Sequence, residues 1–68
     1  MTVVVNGTPT EVASDATVAG VVAGLGLPVS GAGIAVALNG EVVPRSAWAS
    51  TGFGERDRLE VLGASQGG

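Results

Sequence analysis

The sequence predicts an α+β domain in which one main helix packs across a small mixed sheet. Three observations predict this class: apolar, β-branched runs recur along the chain, an Asn-Gly dipeptide separates two of them, and one segment has helical periodicity. With 68 residues, 46% of them hydrophobic, the chain has the size and composition of one globular domain. We expect the folded domain at 1–63 and a flexible tail at 64–68 that ends in Gly-Gly.

Two extended segments at the start of the chain predict a hairpin. Thr2 to Asn6 is a β-branched run, and residues 7–9 supply a turn before a second strand at 10–13. Gly and Pro in the intervening stretch interrupt the apolar pattern, as turn residues do. We therefore expect these two strands to pair with each other.

The predicted helix follows this hairpin. Ser14 and Asp15 offer side-chain oxygens that could cap its first turn, and Thr17 is the competing cap. An apolar stripe with helical spacing, which we expect to face the sheet, consists of Val18, Val21, Val22 and Leu25. Gly26 and Pro28 end the helix, because the first favours a left-handed conformation and the second cannot continue the hydrogen-bond ladder.

A second hairpin is predicted where Asn-Gly at 39–40 separates the apolar segments 34–38 and 41–43. This dipeptide is the strongest short-range signal for a hairpin with a two-residue turn. Such a turn places Ala37 and Val42 on the same face of the paired strands.

The segment after Pro44 is predicted to contain about one helical turn, at 45–50, around Trp48. Pro44 has no backbone N–H and therefore ends the preceding strand. A lone large aromatic residue in so small a domain usually packs against the core. We expect Trp48 to seal the edge of the core rather than to stack on a ligand.

The last strand is predicted at 58–62 from its alternation of apolar and charged residues. Leu59 and Val61 face the core in this register, and Leu62 faces outward. An exposed leucine just before the tail is a possible docking patch for a partner protein.

The composition of the chain argues against several functional classes. Cys and His are absent, and the basic residues are three arginines, so thiolate, imidazole and lysine chemistry are unavailable. We therefore predict no catalytic residue and no metal site. A net charge of -3 without a basic stripe predicts no nucleic-acid binding. The uncharged stretch 16–40 is interrupted by Pro28 and glycines, and the N-terminus lacks a basic signal region, which favours a cytoplasmic protein without a membrane segment.

The α-carboxylate of Gly68 is the main reactive candidate that this composition leaves. A Gly-Gly end lacks Cβ atoms and can therefore enter a narrow channel in a partner. The five residues from 64 to 68 reach at most about 17 Å when extended. An unused chain end is the alternative interpretation, and these residues alone do not decide between the two.

Several stretches together carry a resemblance to a known family. They are Asn6-Gly7, Asp15-Ala-Thr-Val18, the segment from Ile34 to Arg45 followed by Trp48, Asp57-Arg-Leu-Glu-Val61, and Gln66-Gly67-Gly68. They cover nearly the whole chain and resemble the ubiquitin-like β-grasp family, in detail the ThiS-type sulfur carrier proteins of thiamine biosynthesis. The most specific part is Val-Val-Pro-Arg-x-x-Trp at 42–48 combined with the terminal Gly-Gly.

The resemblance implies a sulfur carrier and cosubstrate of partner enzymes, not an enzyme. In that family an E1-like adenylyltransferase activates the terminal glycine with ATP, and a cysteine desulfurase or another donor supplies sulfur for a thiocarboxylate. Thiazole synthase then receives the sulfur for the thiazole ring. Carried over, Gly68 is the modified residue, and Gly67, Gln66 and Ser65 form the segment that enters the partner's channel. The chain itself binds no cofactor under this expectation, since ATP is used by the adenylyltransferase.

Three other interpretations of the sequence stay open. The small subunit of molybdopterin synthase uses the same chemistry, but that class tends to be longer and lacks the Pro-Arg-x-x-Trp element. A ubiquitin-like modifier would join its terminal glycine to lysines of target proteins. An interaction module would have a terminal Gly-Gly without a chemical role.

One position departs from the family pattern. Similar proteins usually have Gly directly before the aspartate that leads into the last strand, where this sequence has Arg56. If the turn needs a positive φ, Arg56 is strained by about 1 kcal/mol. Otherwise the turn has a different shape, with Gly54 as the substitute.

Overall fold

The strands form one mixed sheet, which confirms the predicted α+β class. A computed structural model describes residues 1–28 and 31–63. Its elements in chain order are β1 (Thr2–Val5), β2 (Thr8–Glu11), α1 (Val18–Gly24), β3 (Ile34–Leu38), β4 (Glu41–Val42), a 3₁₀-helix (Arg45–Ser50) and β5 (Arg58–Gly63). The five-stranded sheet has the order β2-β1-β5-β3-β4. Only the central β1–β5 pair is parallel among the pairs of this sheet.

The first hairpin turns at Asn6 and Gly7, earlier than the sequence predicts. Val5 pairs with Thr8, so the turn contains two residues, with φ of 49° at Asn6 and 83° at Gly7. Positive φ at both central residues defines the type I′ turn, which matches the twist of paired strands. The predicted strand at 10–13 is therefore wrong in its start, because β2 begins directly after the turn.

The second hairpin confirms the predicted turn at 39–40. Asn39 has a φ of 51° and Gly40 a φ of 86°, so this turn is also of type I′. Ala37 pairs with Val42, as the two-residue turn requires. Both side chains therefore lie on one face of the sheet.

The helix α1 is capped by Thr17, the competing cap in the sequence prediction. The Thr17 side chain accepts a hydrogen bond of 3.2 Å from the backbone N–H of Gly20. Ser14 and Asp15 lie in a separate turn at 13–16, closed by a backbone hydrogen bond of 3.0 Å, and so do not cap the helix. Within residues 1–28 and 31–63, no helix is both long enough and apolar enough to cross a bilayer.

The apolar stripe of α1 is confirmed at its centre and wrong at its end. Val18 and Val22 are buried and Val21 is half-buried against the core. Leu25 is 48% exposed because the helix has ended and Leu25 is its C-cap. Gly26 follows with a φ of 78°, the left-handed conformation that commonly terminates helices.

The core lies between α1 and one face of the sheet. Its buried members are Val3, Val5, Val18, Val22, Val36, Trp48, Leu59 and Val61. The core residues that belong to strands alternate with outward side chains, as strands with one buried face do. No buried side-chain nitrogen or oxygen in the described part of the chain lacks a hydrogen-bond partner.

Trp48 closes one edge of this core, as predicted. Its side chain is 2% exposed, and the indole N–H donates a hydrogen bond of 2.9 Å to the Val43 carbonyl oxygen. The Arg45 guanidinium carbon lies 5.1 Å from the Trp48 ring centroid, within the range of a cation–π contact. The predicted turn around Trp48 is a 3₁₀-helix, and its Pro-Arg-x-x-Trp sequence thus has a packing role.

Arg56 has the positive φ expected if the turn keeps the family's shape. Its φ is 65°, and Asp57 donates a backbone hydrogen bond of 3.1 Å to Gly54 across the turn. Gly54 is not among the residues with positive φ, so it does not substitute for the missing glycine. The Arg56 N–H donates to the Thr2 carbonyl oxygen at 2.7 Å, which holds the turn against the start of β1.

Candidate functional site

The candidate site lies where β5 leads toward the C-terminal segment. The predicted site residues Ser65, Gln66, Gly67 and Gly68 lie outside the described residues, so their roles stay predictions. The predicted domain boundary between 63 and 64 likewise stays a prediction. The structure places β5 at the centre of the sheet, between β1 and β3, and thereby fixes the strand from which residues 64–68 follow.

Leu62 lies on the open face of the sheet, opposite to the face that α1 covers. Leu59 and Val61 point into the core, with exposures of 0% and 6%, whereas Leu62 is 68% exposed. This alternation follows from the pleat of the strand, which sends successive side chains to opposite faces. The outward orientation predicted for Leu62 is confirmed, and its role in docking stays a prediction.

The sheet brings other apolar side chains to the same face as Leu62. Ala35 pairs directly with Leu62, and Ala37 pairs with Val42, which is 78% exposed. We call these side chains the apolar patch; it consists of Ala35, Ala37, Val42 and Leu62. The two alanines of the patch lie on β3, the strand between β5 and β4.

Sequence reasoning identified Leu62 but did not place Val42 on the same face of the sheet. The alternation of β4 already placed Val42 and Ala37 on a common face. That Leu62 lies on the same face as Ala37 and Val42 follows only from the pairing of β3 with β5. The missing signal was therefore the order of the strands, which a local pattern does not contain.

A depression of about 340 Å³ adjoins Leu62 at the end of β5. It is lined by Gly33, Ile34, Ala35, Leu62 and Gly63. The lining residues contribute apolar side chains or backbone atoms. The depression can therefore accept an apolar side chain from another protein, but it offers no acidic or basic group. It lies beside the last described residue before the C-terminal segment.

Charged side chains border the apolar patch. Glu60 pairs with Ala37 on the open face. Arg58 lies two residues earlier on β5 and on the same face, and both side chains are exposed. Exposed charges around an apolar centre are typical of protein-binding surfaces. The apolar patch and its charged border can thus supply contacts to a partner.

Among residues 1–28 and 31–63, no group of three or more His, Cys, Asp or Glu could hold a metal ion.

Asn6, which the sequence prediction places at the end of the first strand, lies near this site. Its side-chain oxygen accepts a hydrogen bond of 2.8 Å from the Val61 N–H. Its side-chain nitrogen donates one of 3.1 Å to the Val61 carbonyl oxygen. We call these two bonds the Asn6–Val61 pair. No local sequence signal indicates this contact, because the two residues are far apart in the chain.

Comparisons with known proteins agree with this architecture. The model of the ThiS family matches residues 3–68. The crystal structure of the thiamine biosynthesis protein ThiS from Geobacter metallireducens is similar, with a TM-score of 0.77 and 33% identity over 91% of each chain. A solution NMR structure of a thiamine biosynthesis protein from the same organism has a TM-score of 0.74 at 33% identity, over 91% of this chain and 81% of that one. No curated protein matches the sequence at a significant level.

The strand order, the single main helix and these matches together support a ubiquitin-like β-grasp fold. They also support a role as a small sulfur carrier that works with partner enzymes in thiamine biosynthesis, rather than as a catalyst. The family match extends from the first strand through Gly68 and so includes the predicted site. From the agreement of sequence, fold and family model, we conclude that the chain belongs to the ThiS family.

Proposed function

We propose that this protein carries sulfur as a thiocarboxylate on Gly68 and donates it for the thiazole ring of thiamine. A partner adenylyltransferase activates the Gly68 carboxylate, a cysteine desulfurase or another donor supplies the sulfur, and thiazole synthase receives it. The observation that carries this proposal is the ThiS-family match, which runs through the terminal Gly67 and Gly68. The protein is then a cosubstrate in each of these steps.

The family resemblance implies the chemistry of this transfer. The Gly68 carboxylate attacks the α-phosphorus of ATP, and pyrophosphate leaves, which gives an acyl-adenylate. The terminal sulfur of a persulfide then attacks the acyl carbon and AMP leaves. A thiol cleaves the resulting S–S bond, so that a thiocarboxylate and a disulfide form. Because the sequence contains no Cys and no Lys, no thiol or amine side chain of the chain itself competes for the activated carboxyl group.

The apolar patch supports a docking role for Leu62. Its 68% exposed side chain lies just before the C-terminal segment, beside the depression at the end of β5. Contact of the adenylyltransferase with this patch would hold the carrier while 65–68 enter the active-site channel. The segment 64–68 reaches at most about 17 Å, so docking must occur close to that channel.

ATP belongs to the adenylyltransferase in this proposal, and the carrier holds no cofactor of its own. We place the reaction in the cytoplasm, where ATP and persulfide donors are available together.

Intact-mass measurement tests the proposal directly. The protein is incubated with the adenylyltransferase, ATP and a persulfide donor with a thiol reductant. We expect a mass gain equal to replacement of one oxygen by sulfur, located at Gly68 by fragmentation. A chain that lacks Gly68 is the matched control. The same mass gain in this shortened chain would contradict the proposal, as would its absence in the full chain.

A further inference from the structure

The side-chain amide of Asn6 takes the place of a strand residue beside β5. A backbone residue that pairs in a sheet presents one N–H and one C=O to its neighbour. The Asn6 amide presents the same two groups to Val61, at 2.8 and 3.1 Å. The Asn6 backbone N–H also donates to the Leu59 carbonyl oxygen at 2.9 Å. Asn6 therefore continues the pairing of β1 with β5 although the main chain has already turned into β2.

This pairing makes Val61 the last residue of β5 for which the structure shows partners on both sides. On one side Val61 pairs with Val36 of β3, and on the other it binds Asn6. Leu62 and Gly63 pair with β3, whereas the pairing of β1 with β5 ends earlier, at Leu59. The Asn6–Val61 pair thus lies directly before the residues that connect the sheet to segment 64–68.

We propose that Asn6 is a positioning residue that fixes the end of β5 and so sets the point from which the reactive C-terminal segment departs. This inference rests on the proposed function, because it concerns delivery of the Gly68 carboxylate. Asn6 does not contact the reacting atoms. It acts through Val61, Leu62 and Gly63, and therefore through both the docking patch and the origin of the segment that must enter the partner.

The physical consequence of losing this pair is a longer and less directed connection. Without the Asn6 amide, the part of β5 after Glu60 is held by β3 alone, and its opening becomes more frequent. Opening adds residues 61–63 to the five that follow, which raises the extended reach from about 17 Å to about 27 Å. A longer connection lowers the effective concentration of the carboxylate at the active site and increases the entropy lost on docking.

Asn6→Gly removes the pair while keeping the turn. Gly adopts positive φ readily, so a Gly-Gly type I′ turn retains the hairpin. Asn6→Asp is a second variant: it keeps an acceptor for the Val61 N–H but has no donor for the Val61 carbonyl oxygen. We expect both variants to weaken the hold on Val61.

Asn39→Gly is the matched control. Asn39 also lies first in a type I′ Asn-Gly turn, and its side-chain oxygen accepts a hydrogen bond of 2.9 Å from the N–H of Arg58. Its backbone N–H donates to the Arg58 carbonyl oxygen at 2.8 Å. The same substitution therefore removes the same kind of contact, at the beginning of β5 and not near its end. A purely structural contribution to stability would be lost in both variants.

The test combines amide hydrogen exchange with adenylation kinetics on the full-length chain. In Asn6→Gly we expect the Val61 amide to exchange about tenfold faster, as the loss of the two hydrogen bonds to the Asn6 side chain implies. We expect kcat/KM for pyrophosphate release by the adenylyltransferase with ATP to fall about three- to tenfold. Asn39→Gly should accelerate exchange of the Arg58 amide and leave kcat/KM within about twofold of the wild-type value.

The outcomes separate this inference from the proposed function. If Asn6→Gly leaves kcat/KM unchanged, or if Asn39→Gly lowers it equally, the positioning role is wrong although Gly68 is still adenylated. If the unchanged protein shows no pyrophosphate release that depends on Gly68, the proposed function fails and the positioning role fails with it. Unaltered exchange at Val61 in both Asn6 variants would overturn the physical basis of the inference, whatever the kinetics show.

Discussion

The two faces of the sheet carry similar apolar residues but differ in burial. The face under α1 buries Val3, Val36 and Leu59 almost completely. The opposite face leaves Val42 and Leu62 largely exposed. Because burial of apolar area is what stabilises a fold, the covered face determines the free energy of unfolding and the open face contributes little to it. The comparison teaches that the parity of its strand position decides whether an apolar residue of this sheet is buried or exposed, and we propose binding roles only for the exposed ones.

The covered face should be the most sensitive to substitution. We expect Leu59→Ala to lower the free energy of unfolding by about 2–5 kcal/mol, because Leu59 is fully buried and its removal leaves a cavity. Chemical denaturation monitored by Trp48 fluorescence measures this. Glu60→Ala, the adjacent exposed position, is the control and should change the free energy by less than about 0.5 kcal/mol. Equal effects at the two positions would remove the distinction between the faces.

The open face should be sensitive in binding. We expect Leu62→Ser to weaken the adenylyltransferase complex about tenfold or more, as loss of one buried leucine at an interface implies, with little change in stability. Titration calorimetry with the partner measures the dissociation constant. Leu25→Ser is the matched control, because Leu25 is also exposed but lies at the end of α1, away from the apolar patch. Equal weakening by both variants would argue against docking at Leu62.

A substitution near Trp48, at the edge of the covered face, should change the free energy of unfolding by a smaller amount. A Cβ atom at Gly31 would lie 2.6 Å from Arg45 Cδ and 3.0 Å from Trp48 Cη2, and Gly31 has a φ of 74°. We expect Gly31→Ala to displace Arg45 from the Trp48 ring and to lower the free energy of unfolding by about 1 kcal/mol. Gly24→Ala is the control, because nothing lies within 4 Å of a Cβ there. It should stabilise the helical position instead, which thermal unfolding of the two variants would reveal.

The smallest expected effect concerns Arg56, at the turn before β5. We expect Arg56→Gly to raise the free energy of unfolding by about 0.5 kcal/mol, since relief of left-handed strain exceeds the added entropy of the unfolded chain. Arg56→Ala removes the same side chain but keeps a Cβ atom and therefore the strain. The difference in the free energy of unfolding between the two variants thus measures the cost of the backbone conformation. If both variants have the same midpoint of denaturation, the positive φ of 65° at Arg56 carries no measurable cost.

Much of the fold could be predicted because its signals are local. Alternation placed Leu59 and Val61 in the core, and the Asn-Gly dipeptide at 39–40 gave both the turn and its pairing. The predicted start of β2 is wrong because Gly7, Thr8 and Pro9 all have turn character, whereas the turn itself consists of Asn6 and Gly7. The prediction that Leu25 faces the sheet is wrong, because helical periodicity does not indicate where the helix stops.

The candidate site was less predictable because its contacts span the chain. Leu62 could be assigned an outward orientation from parity alone. The pairing of Leu62 with Ala35, the position of Val42 on the same face and the hydrogen bonds of Asn6 to Val61 all depend on strand order. A pattern read along the chain does not contain this order, which is why resemblance to a family indicated the site before geometry did.

The central parallel pair has a consequence for how the protein is made. β5 lies between β1 and β3, so the first half of the sheet and the second half share no strand neighbour until β5 is present. During synthesis, a ribosome therefore releases nearly the whole sequence before the sheet can close, and contacts between distant segments make closure late. A nascent chain that stops short of β5 exposes valines that chaperones and proteases recognise. The domain thus becomes a folded protein only when the strand that leads to residues 64–68 has been translated.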